Sequence, residues 1–324
     1  MRAFAVRSFG EPPALHDLPI PAANGALLIR TTHAGVNPFD YKLVDQLTAT
    51  SRYPFVLGVD FAGVVERVPA GERDLRTGER IFGIARTYGS YAEYTAVAPG
   101  VQIEPFARIP EAVTDEQAAA LPMPGTTALG SLKLMRVTAG QRVVVMGATG
   151  GVGGYAVQMA RARGAHVIAT VRGDVDEARR LGAEEVYDTN TVDVIDALRG
   201  AHPGGVDAVL DLVNRKDAIR RDADIIKAGG ALISTVYAAD VPWFAERHIT
   251  AYNMSSGATS DSAAVHTNPA TSPRALSEIA RMLASGTITA RIGSRVGLDG
   301  AGELLETLRK GGLRGKAVIH LRRS

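Results

Sequence analysis

The sequence contains no cysteine, and this absence excludes disulfides, thiolate catalysis and cysteine-liganded zinc sites. The seven histidines are scattered, and they form neither an H-E-x-x-H motif nor a close pair. His33 lies inside an apolar run, where we interpret it as a hydrogen-bonded core or cleft residue and not as a ligand. We therefore expect no metal site.

Long apolar runs and a large charge of one sign are also missing. No stretch approaches the roughly 18 uninterrupted apolar residues that a membrane span requires, and Arg7 interrupts the first apolar run. The net charge is only +2, which indicates neither a nucleic-acid nor a membrane partner. With 324 residues, the chain is long enough for two hydrophobic cores. We expect a cytoplasmic, two-domain protein that acts on a small molecule.

The most informative feature that is present is the glycine-rich turn at residues 147–153. The three valines and a methionine at 143–146 are typical of a buried parallel strand, and apolar residues at helical spacing follow at 155–163. Residues 166–171 form the next predicted strand. The turn departs from G-x-G-x-x-G at its first position, where Ala148 stands. This order of elements predicts a dinucleotide site, because the amides and dipole of the helix can bind a pyrophosphate.

The spacing of apolar residues changes along the chain. Up to about residue 110, short runs separated by Gly, Pro and Asp predict an all-β, barrel-like region. Its predicted strands are residues 26–36, 61–68, 80–84 and 91–97. From Thr114, which opens a capping box with Gln117, alternating helices and strands predict a doubly wound sheet.

Later segments complete the predicted organisation. Strands are expected at 206–210 and 231–236, the second after a Gly229-Gly230 turn that ends a helix, and 260–273 is expected to be a mobile connection. The last predicted elements are a helix at 273–285, a helix opened by Asp299 and a strand at 317–321. A nucleotide domain at 121–264 is thus inserted into a domain formed by 1–120 and 265–324.

Several motifs together resemble a known family. They are residues 35–42, 58–65, 78–83, 118–122, 147–153, 227–230 and 314–318. In this order they resemble the medium-chain dehydrogenase/reductases of the zinc-free quinone oxidoreductase branch. The resemblance implies an α/β fold in which a Rossmann doubly wound parallel sheet is inserted into a GroES-like β-barrel catalytic domain. Zinc-dependent relatives carry a His-Glu pair after the glycine that is Gly58 here, where Val59 and Asp60 stand.

Without a metal, another group must stabilise the oxyanion that hydride addition creates. The resemblance implies that Asn37, Tyr41 and Lys42 are the catalytic candidates, and Lys42 can both bind an enolate and deliver a proton. Other roles stay open. Lys42 is also consistent with a surface lysine that pairs with Asp40 or reaches the cofactor, and Asn37 with a turn residue before Pro38.

The cofactor is predicted at the end of the second Rossmann strand, where an NAD site usually has an acidic residue. Arg172 stands there and suits a 2′-phosphate, so NADPH is expected. Two features oppose this expectation: Asp174 and Asp176 follow closely, and Thr189 stands where the family that the chain resembles often has a phosphate-binding tyrosine. The resemblance implies that Thr127, at a helix start after Pro124-Gly125, lies near the nicotinamide. The full predicted cofactor set is Thr127, Ala148, Thr149, Gly150, Gly151, Val152, Gly153, Arg172, Val213, Asn214, Ser234 and Lys316.

These features predict a zinc-independent, NADPH-dependent oxidoreductase that transfers hydride to a quinone or to the activated C=C bond of an α,β-unsaturated ketone. Two alternatives remain open. One is an enoyl-thioester reductase or another pathway-specific reductase, and the other is a nucleotide-binding scaffold protein without turnover. The resemblance also implies a homodimer formed by pairing of Rossmann sheet edges.

Overall fold

The computed structural model describes residues 1–85, 89–98, 105–214, 218–254 and 268–321. The chain forms two compact units, unit 1 (Met1–Thr126 with Thr271–Ser324) and unit 2 (Thr127–Ala270). The boundaries expected from the sequence were 120/121 and 264/265. The unit boundaries at 126/127 and 270/271 lie six residues further along at each point (126 − 120 and 270 − 264).

Unit 1 is built mainly from strands that pair antiparallel. Its strands are β1 (Arg2–Val6), β2 (Ala14–Asp17), β3 (Leu27–Val36), β4 (Phe55–Val56), β5 (Asp60–Arg67), β6 (Arg80–Ile84), β7 (Tyr94–Val97), β8 (Phe106–Arg108), β15 (Ile292–Gly297) and β16 (Lys316–His320). In the described residues they form a three-stranded sheet, β2-β1-β4, and a seven-stranded sheet, β15-β16-β3-β5-β6-β8 with β7 on β3. The helices are α1 (Pro38–Val44), α2 (Asp115–Ala119), α8 (Pro273–Ala284) and α9 (Ala301–Arg309).

Apolar side chains on these strands build two clusters. Phe61 and Ile81 of adjacent strands are fully buried with Ile29, because alternate residues of a half-buried strand face the same side. A second cluster joins Phe4 of β1 to Ile319 of β16. Segments from both ends of the chain therefore share one core.

Unit 2 is a parallel sheet of the doubly wound type. Its strands are β9 (Arg142–Met146), β10 (His166–Val171), β11 (Glu185–Asp188), β12 (Val206–Asp211), β13 (Ile226–Ser234) and β14 (Thr250–Asn253), in the order β11-β10-β9-β12-β13-β14. The helices are α4 (Gly151–Ala162), α5 (Val175–Leu181), α6 (Val194–Ala201) and α7 (Val241–Ala245), with a 3-10 helix at Ile219–Ile225. Helix α3 (Pro122–Leu134) contains the division between the units.

The carboxyl ends of these strands bring a row of polar residues into register. Thr170 pairs with Met146, Met146 with Asp211, and Asp211 with Ser234. Ser234 in turn pairs with Asn253 on the edge strand β14. Because ligands of open α/β sheets bind outside these strand ends, a nucleotide is expected to bind at this edge.

The Gly229-Gly230 turn does not end a helix, contrary to the prediction. Both glycines lie inside β13, opposite a register shift between Val206 and Ala208. Gly229 has φ +80°, and its N–H donates to the His248 carbonyl at 2.7 Å. The irregularity in the strand requires a left-handed residue, so the same glycines serve a strand bulge.

Two predicted helix starts are also wrong. Thr127 lies well inside α3, because Pro122 and Pro124 occupy the first turn, where a missing N–H costs nothing. The last helix begins at Ala301, after a 3-10 turn at Leu298–Gly300 that contains Asp299. Most of the predicted mobile connection at 260–273 lies outside the described residues.

Candidate functional site

The glycine turn in unit 2 joins β9 to α4 by backbone contacts that leave no room for a side chain at position 153. The Gly147 and Ala148 amides both donate to the Thr170 carbonyl, at 3.1 and 3.0 Å, and Gly150 N–H donates to the Gly147 carbonyl at 3.0 Å. A Cβ at Gly153 would lie 2.2 Å from the Gly147 oxygen. The turn is therefore held against the end of β10, and only glycine fits at 153.

The turn delivers the start of α4 to the carboxyl edge of the sheet. Gly150 is the N-cap residue, and no side chain caps the helix. The first amides of a helix have no partner within the helix, and they carry the positive end of its dipole. The turn thus presents backbone donors that suit an anionic group such as a pyrophosphate.

The end of β10 lies beside this turn. Arg172 follows the last strand residue and is exposed, and the first acidic side chain after it belongs to Asp174, the N-cap residue of α5. The next amide, of Gly173, donates to Oδ1 of Asp188 at 3.0 Å. Asp188, at the end of β11, therefore holds the backbone immediately after Arg172.

Unit 1 contains a buried polar cluster of five side chains, Asn37, Asp40, Asp60, Tyr91 and Lys316. The Lys316 ammonium donates to Oδ1 of Asn37 and to the Val36 carbonyl, both at 2.7 Å. Nδ2 of Asn37 donates to Asp60 at 2.9 Å, and the Tyr91 hydroxyl donates to Asp40 at 2.7 Å.

Local structure places these groups. Asn37 is the N-cap residue of α1, and its own N–H donates to Oδ2 of Asp40 at 2.8 Å, which closes a capping box. Asp60 begins β5 and accepts the Met123 N–H from the start of α3 at 3.0 Å. The cluster thus joins a helix cap, two strands and a helix start.

Burial dominates the electrostatics of this cluster. It raises the pKa of Asp40 to about 7 and that of Asp60 to about 6, against the opposing effect of the Lys316 charge. Burial also lowers the pKa of Lys316, which the two carboxylates oppose. Oδ1 of Asp40 has no hydrogen-bond partner in the described part of the chain. One lysine therefore faces two carboxyl groups, and Asp40 is the one that gains a proton most readily.

A second pair of buried carboxyl groups lies in unit 2. Oδ1 of Asp211 accepts the amides of Val213 and Asn214 at 3.0 and 2.9 Å. Nδ2 of Asn214 donates to Asp222, in the 3-10 helix, at 3.1 Å. Burial, followed by the charge of Asp211, raises the pKa of Asp222 to about 8. This pair stands at the carboxyl edge, beside the glycine turn.

Comparison with known proteins identifies the fold family. Residues 23–107 match the family model described as an alcohol dehydrogenase GroES-like domain, and residues 151–255 match the model described as a zinc-binding dehydrogenase. The rat quinone oxidoreductase is 32% identical over 244 residues, which cover 72% of each chain. The chain belongs to the medium-chain dehydrogenase/reductase family of quinone oxidoreductase type.

Solved structures of this family agree with the fold. The quinone oxidoreductase from Coxiella burnetii superposes with a TM-score of 0.85 at 27% identity and covers 99% of both chains. The quinone oxidoreductase from Escherichia coli, solved in complex with NADPH, has a TM-score of 0.83 at 22% identity and covers 98% of this chain and 99% of that chain. The protein is thus an oxidoreductase with a nucleotide-binding Rossmann sheet and a GroES-like domain, as the sequence predicted.

The three predicted catalytic residues of this oxidoreductase lie in different surroundings. Asn37 is buried, and both ends of its side chain are bonded within the cluster. Tyr41 is half-buried on α1, with the Arg309 guanidinium 4.9 Å from its ring centroid. Lys42 is half-buried on the same helix and forms no ion pair with any residue that the structure describes. It does not pair with Asp40, whose side chain is buried in the cluster.

The structure also places the predicted cofactor residues in different surroundings. Residues 148–153 form the glycine turn, and Val213, 53% exposed, contacts Gly147 beside it. Ser234 is fully buried, with a hydroxyl that lacks a partner within the described ranges. Lys316 lies in unit 1 and uses its ammonium on Val36 and Asn37, so we do not include it in the proposed cofactor set.

Sequence reasoning missed four buried polar residues of this oxidoreductase. Asp60 is the first residue and Asp211 the last residue of an apolar strand, and a carboxylate at such a strand terminus was an available signal. Tyr91 and Asp222 had no such signal, because each is defined by a partner on a distant segment. Within the described residues, no group of three or more His, Asp or Glu side chains could hold a metal ion. No helix of the described chain is both long and apolar enough to span a bilayer.

Proposed function

We propose that the protein is an NADPH-dependent reductase of quinones or of activated enones, and that it works without zinc. The observation that carries this proposal is the end of β10, where an exposed arginine stands beside a glycine turn and a helix start. A quinone oxidoreductase relative at 32% identity supports the reaction class.

The dinucleotide fits the residues present in unit 2. Close packing requires glycine at position 153, and the N-cap residue of α4, Gly150, has no side chain that could cap the helix. The amides of 151–153 would hold the pyrophosphate, and Arg172 would hold the 2′-phosphate of the adenosine ribose. Asn214 and Val213 would lie along the same edge. When bound, the reduced nicotinamide supplies the hydride.

The choice of NADPH over NADH depends on Arg172. A guanidinium forms bidentate, charge-assisted hydrogen bonds with a phosphate, whereas a ribose hydroxyl pair is held best by a carboxylate. The exposed side chain immediately after β10 is basic, and Oδ1 of Asp188 accepts the amide that follows it. These contacts favour a phosphorylated ribose.

Replacement of Arg172 tests the cofactor assignment. For Arg172→Ala we expect the NADPH dissociation constant to rise about ten- to a hundredfold, because one charge-assisted contact contributes roughly 1.5–3 kcal/mol, while NADH binding stays nearly unchanged. Titration calorimetry with both nucleotides measures this. Arg199→Ala is the matched control, since it also removes an exposed guanidinium of unit 2, one paired with Asp196. Equal weakening of both nucleotides, or tighter NADH binding by the unchanged protein, would overturn the assignment.

The chain must also supply a proton. Hydride addition places negative charge on the substrate oxygen, and a positioned cation or phenol can stabilise and protonate it. Lys42 has no competing ion pair among the described residues, and burial raises the pKa of the Tyr41 phenol. We therefore assign the proton to Lys42, with Tyr41 as the alternative donor on α1. Asn37 is better described as a positioning residue.

A steady-state comparison separates these donors. Lys42→Met keeps the stem and removes the charge, so turnover should fall by roughly 10²-fold or more while substrate binding changes less. Lys310→Met removes an exposed lysine at the end of α9 and should leave turnover unchanged. If Tyr41→Phe abolishes turnover and Lys42→Met does not, the phenol is the donor. If both are silent, solvent protons are sufficient.

A substrate panel decides between the remaining functions. NADPH oxidation is measured with naphthoquinones, with an enone and with an enoyl thioester, in parallel with nucleotide binding. Fastest turnover of the thioester assigns an enoyl reductase, and binding without turnover of any compound assigns a scaffold. Activity that survives a chelator, in protein with sub-stoichiometric zinc by elemental analysis, supports the zinc-independent mechanism. Tightly held zinc whose removal abolishes activity contradicts it.

We also propose a homodimer in the cytoplasm. Among the described residues, strand β14 is an edge strand of the six-stranded sheet, and we expect it to pair with β14 of a second copy. Light scattering after size-exclusion chromatography measures the mass in solution. A monomer across the micromolar range contradicts this part of the proposal.

A further inference from the structure

The carboxyl pair Asp211 and Asp222 in unit 2 is more than a packing feature, because its geometry leaves two oxygens without donors. Both side chains are fully buried. Oδ1 of Asp211 accepts the amides of Val213 and Asn214, and Oδ1 of Asp222 accepts Nδ2 of Asn214. Oδ2 of each aspartate has no hydrogen-bond partner in the described ranges. Two ionised carboxylates can only accept hydrogen bonds, so neither could satisfy the other.

The charged groups that the structure describes around the pair have partners of their own. Arg221, the nearest cation on the 3-10 helix, forms an ion pair with Asp193 at 2.9 Å. The charges on the packed elements are also used elsewhere. Asp196 pairs with Arg199 on α6 at 3.7 Å, and Lys227 of β13 pairs with Asp207 of β12 at 2.5 Å. The sheet neighbours of Asp211 are Met146 and Ser234, neither of which titrates. No described side chain donates to either Oδ2, and a single shared proton satisfies both oxygens.

Hydrogen bonds and side-chain packing connect the carboxyl pair to the glycine turn. Oδ1 of Asp211 holds the amides of Val213 and Asn214, and the Asn214 side chain is held by Asp222. The Val213 side chain packs so closely on Gly147 that a Cβ there would lie 2.5 Å from Cγ1 of Val213. The position of residues 212–214, and with it one wall of the turn, therefore follows the state of the carboxyl pair.

We propose that Asp211 and Asp222 share one proton that positions residues 212–214 against the glycine turn, so that nucleotide affinity falls when this proton is lost. This inference rests on the proposed nucleotide site. Both aspartates act as positioning residues, through Val213 and Asn214, and neither needs to touch the nucleotide.

The direction of the effect follows from the protonation equilibrium. Burial raises the pKa of Asp222 to about 8, so the shared proton is present at neutral pH and is lost as the pH rises through about 8. Two buried like charges then repel each other, and the contacts with Val213 and Asn214 loosen. If the ionised form does not bind, nucleotide affinity falls by up to about tenfold per pH unit above about pH 8.

Substitution with asparagine tests the proposal. Asp222→Asn keeps the shape and offers a permanent donor to Asp211 but cannot lose a proton. We measure NADPH dissociation constants by titration calorimetry from about pH 6.5 to about pH 9.5 for the intact protein, for Asp222→Asn and for the control Asp196→Asn, an exposed aspartate of α6. The intact protein and Asp196→Asn should lose NADPH affinity at alkaline pH, whereas Asp222→Asn should not.

A spectroscopic readout makes the test independent of folding defects. In addition to the bands that Asp40 and Asp60 contribute at lower pH, infrared difference spectra of the intact protein should show a protonated carboxyl band that disappears as the pH rises through about 8, and only this band should be missing in Asp222→Asn. The proposal is wrong if Asp222→Asn keeps the same alkaline loss, or if no such band titrates. Failure of the intact protein to bind NADPH or NADH at any pH would instead overturn the proposed function.

Discussion

Each of the two units buries a pair of aspartates, and the groups that compensate the buried carboxyl charge differ between the units. In unit 1, Asp40 and Asp60 share their surroundings with the Lys316 ammonium, which donates to Asn37 beside them. In unit 2, the interactions of Asp211 and Asp222 are with amides and with each other. Burial raises the pKa of Asp60 to about 6 in the first case and the pKa of Asp222 to about 8 in the second.

This difference shows that a buried carboxyl pair can be balanced either by a cation or by a proton. Removing an ion from water costs several kcal/mol, and a fixed counter-charge recovers part of that cost at every pH. A proton recovers it only below the pKa of the pair. We therefore expect the Lys316 charge to stabilise the unit 1 cluster at every pH, with Asp40 as its titrating member, and the unit 2 pair to depend on a proton alone.

The largest effect is expected from removal of the cation. Lys316→Met should destabilise unit 1 by about 3–5 kcal/mol, because it leaves two buried carboxyl groups without a counter-charge. Hydrogen exchange of β3 and β16 in urea measures unit 1, while the single tryptophan, Trp243, reports on unit 2 by fluorescence. Lys227→Met removes a half-exposed ion pair and should cost less than about 1 kcal/mol. Similar losses in both variants would contradict the comparison.

The next effect is a pH dependence in unit 1. The folded-state pKa of Asp40 is raised to about 7, so the stability that its protonated form contributes is present below about pH 4 and is lost as the pH rises to about 7. Relative to Asp40→Asn, the unchanged protein should lose up to about 1.4 kcal/mol per pH unit in that window. The free energy of unfolding is measured for both at several pH values. A constant difference would show that Asp40 is ionised throughout.

A double substitution sharpens the role of Lys316. If its charge mainly balances Asp60, then Lys316→Met combined with Asp60→Asn should be less destabilised than the sum of the two single variants, by roughly 1–3 kcal/mol. Asp60→Asn keeps an acceptor for the Met123 amide, so the test concerns charge more than hydrogen bonding. Additive losses would mean that Lys316 contributes only through its bonds to Val36 and Asn37.

The smallest effect concerns the amide that supports the proton-balanced pair. Asn214→Ala removes the donor to Asp222 and should cost about 1–2 kcal/mol. Because that hydrogen bond lowers the pKa of Asp222, its loss should move the titration of the pair to higher pH. Unfolding measured across pH, together with the infrared titration, detects both changes. A shift to lower pH would contradict the assignment of Asn214 as a donor to the carboxylate.

The sequence alone predicted the Rossmann turn, the capping box at Thr114 and most strands, because short-range patterns determine them. Thr114 does cap α2, accepting the Gln117 amide at 3.1 Å. The predictions of element boundaries were wrong where a glycine or proline belonged to a different element from the one expected. Gly229 supplied a left-handed residue for a strand bulge, and the prolines before Thr127 fitted into the first turn of α3.

What the sequence determined by itself is the set of elements whose causes lie within a few residues: a turn that requires glycine, a helix start and an exposed arginine after a strand. Only the tertiary structure decided which buried charges meet. Lys316 and Asn37 are 279 positions apart, and Tyr91 and Asp40 are 51 apart. The physical reason is that the pKa of a buried group depends on its distance to other charges in space, and that distance exists only once the strands have paired.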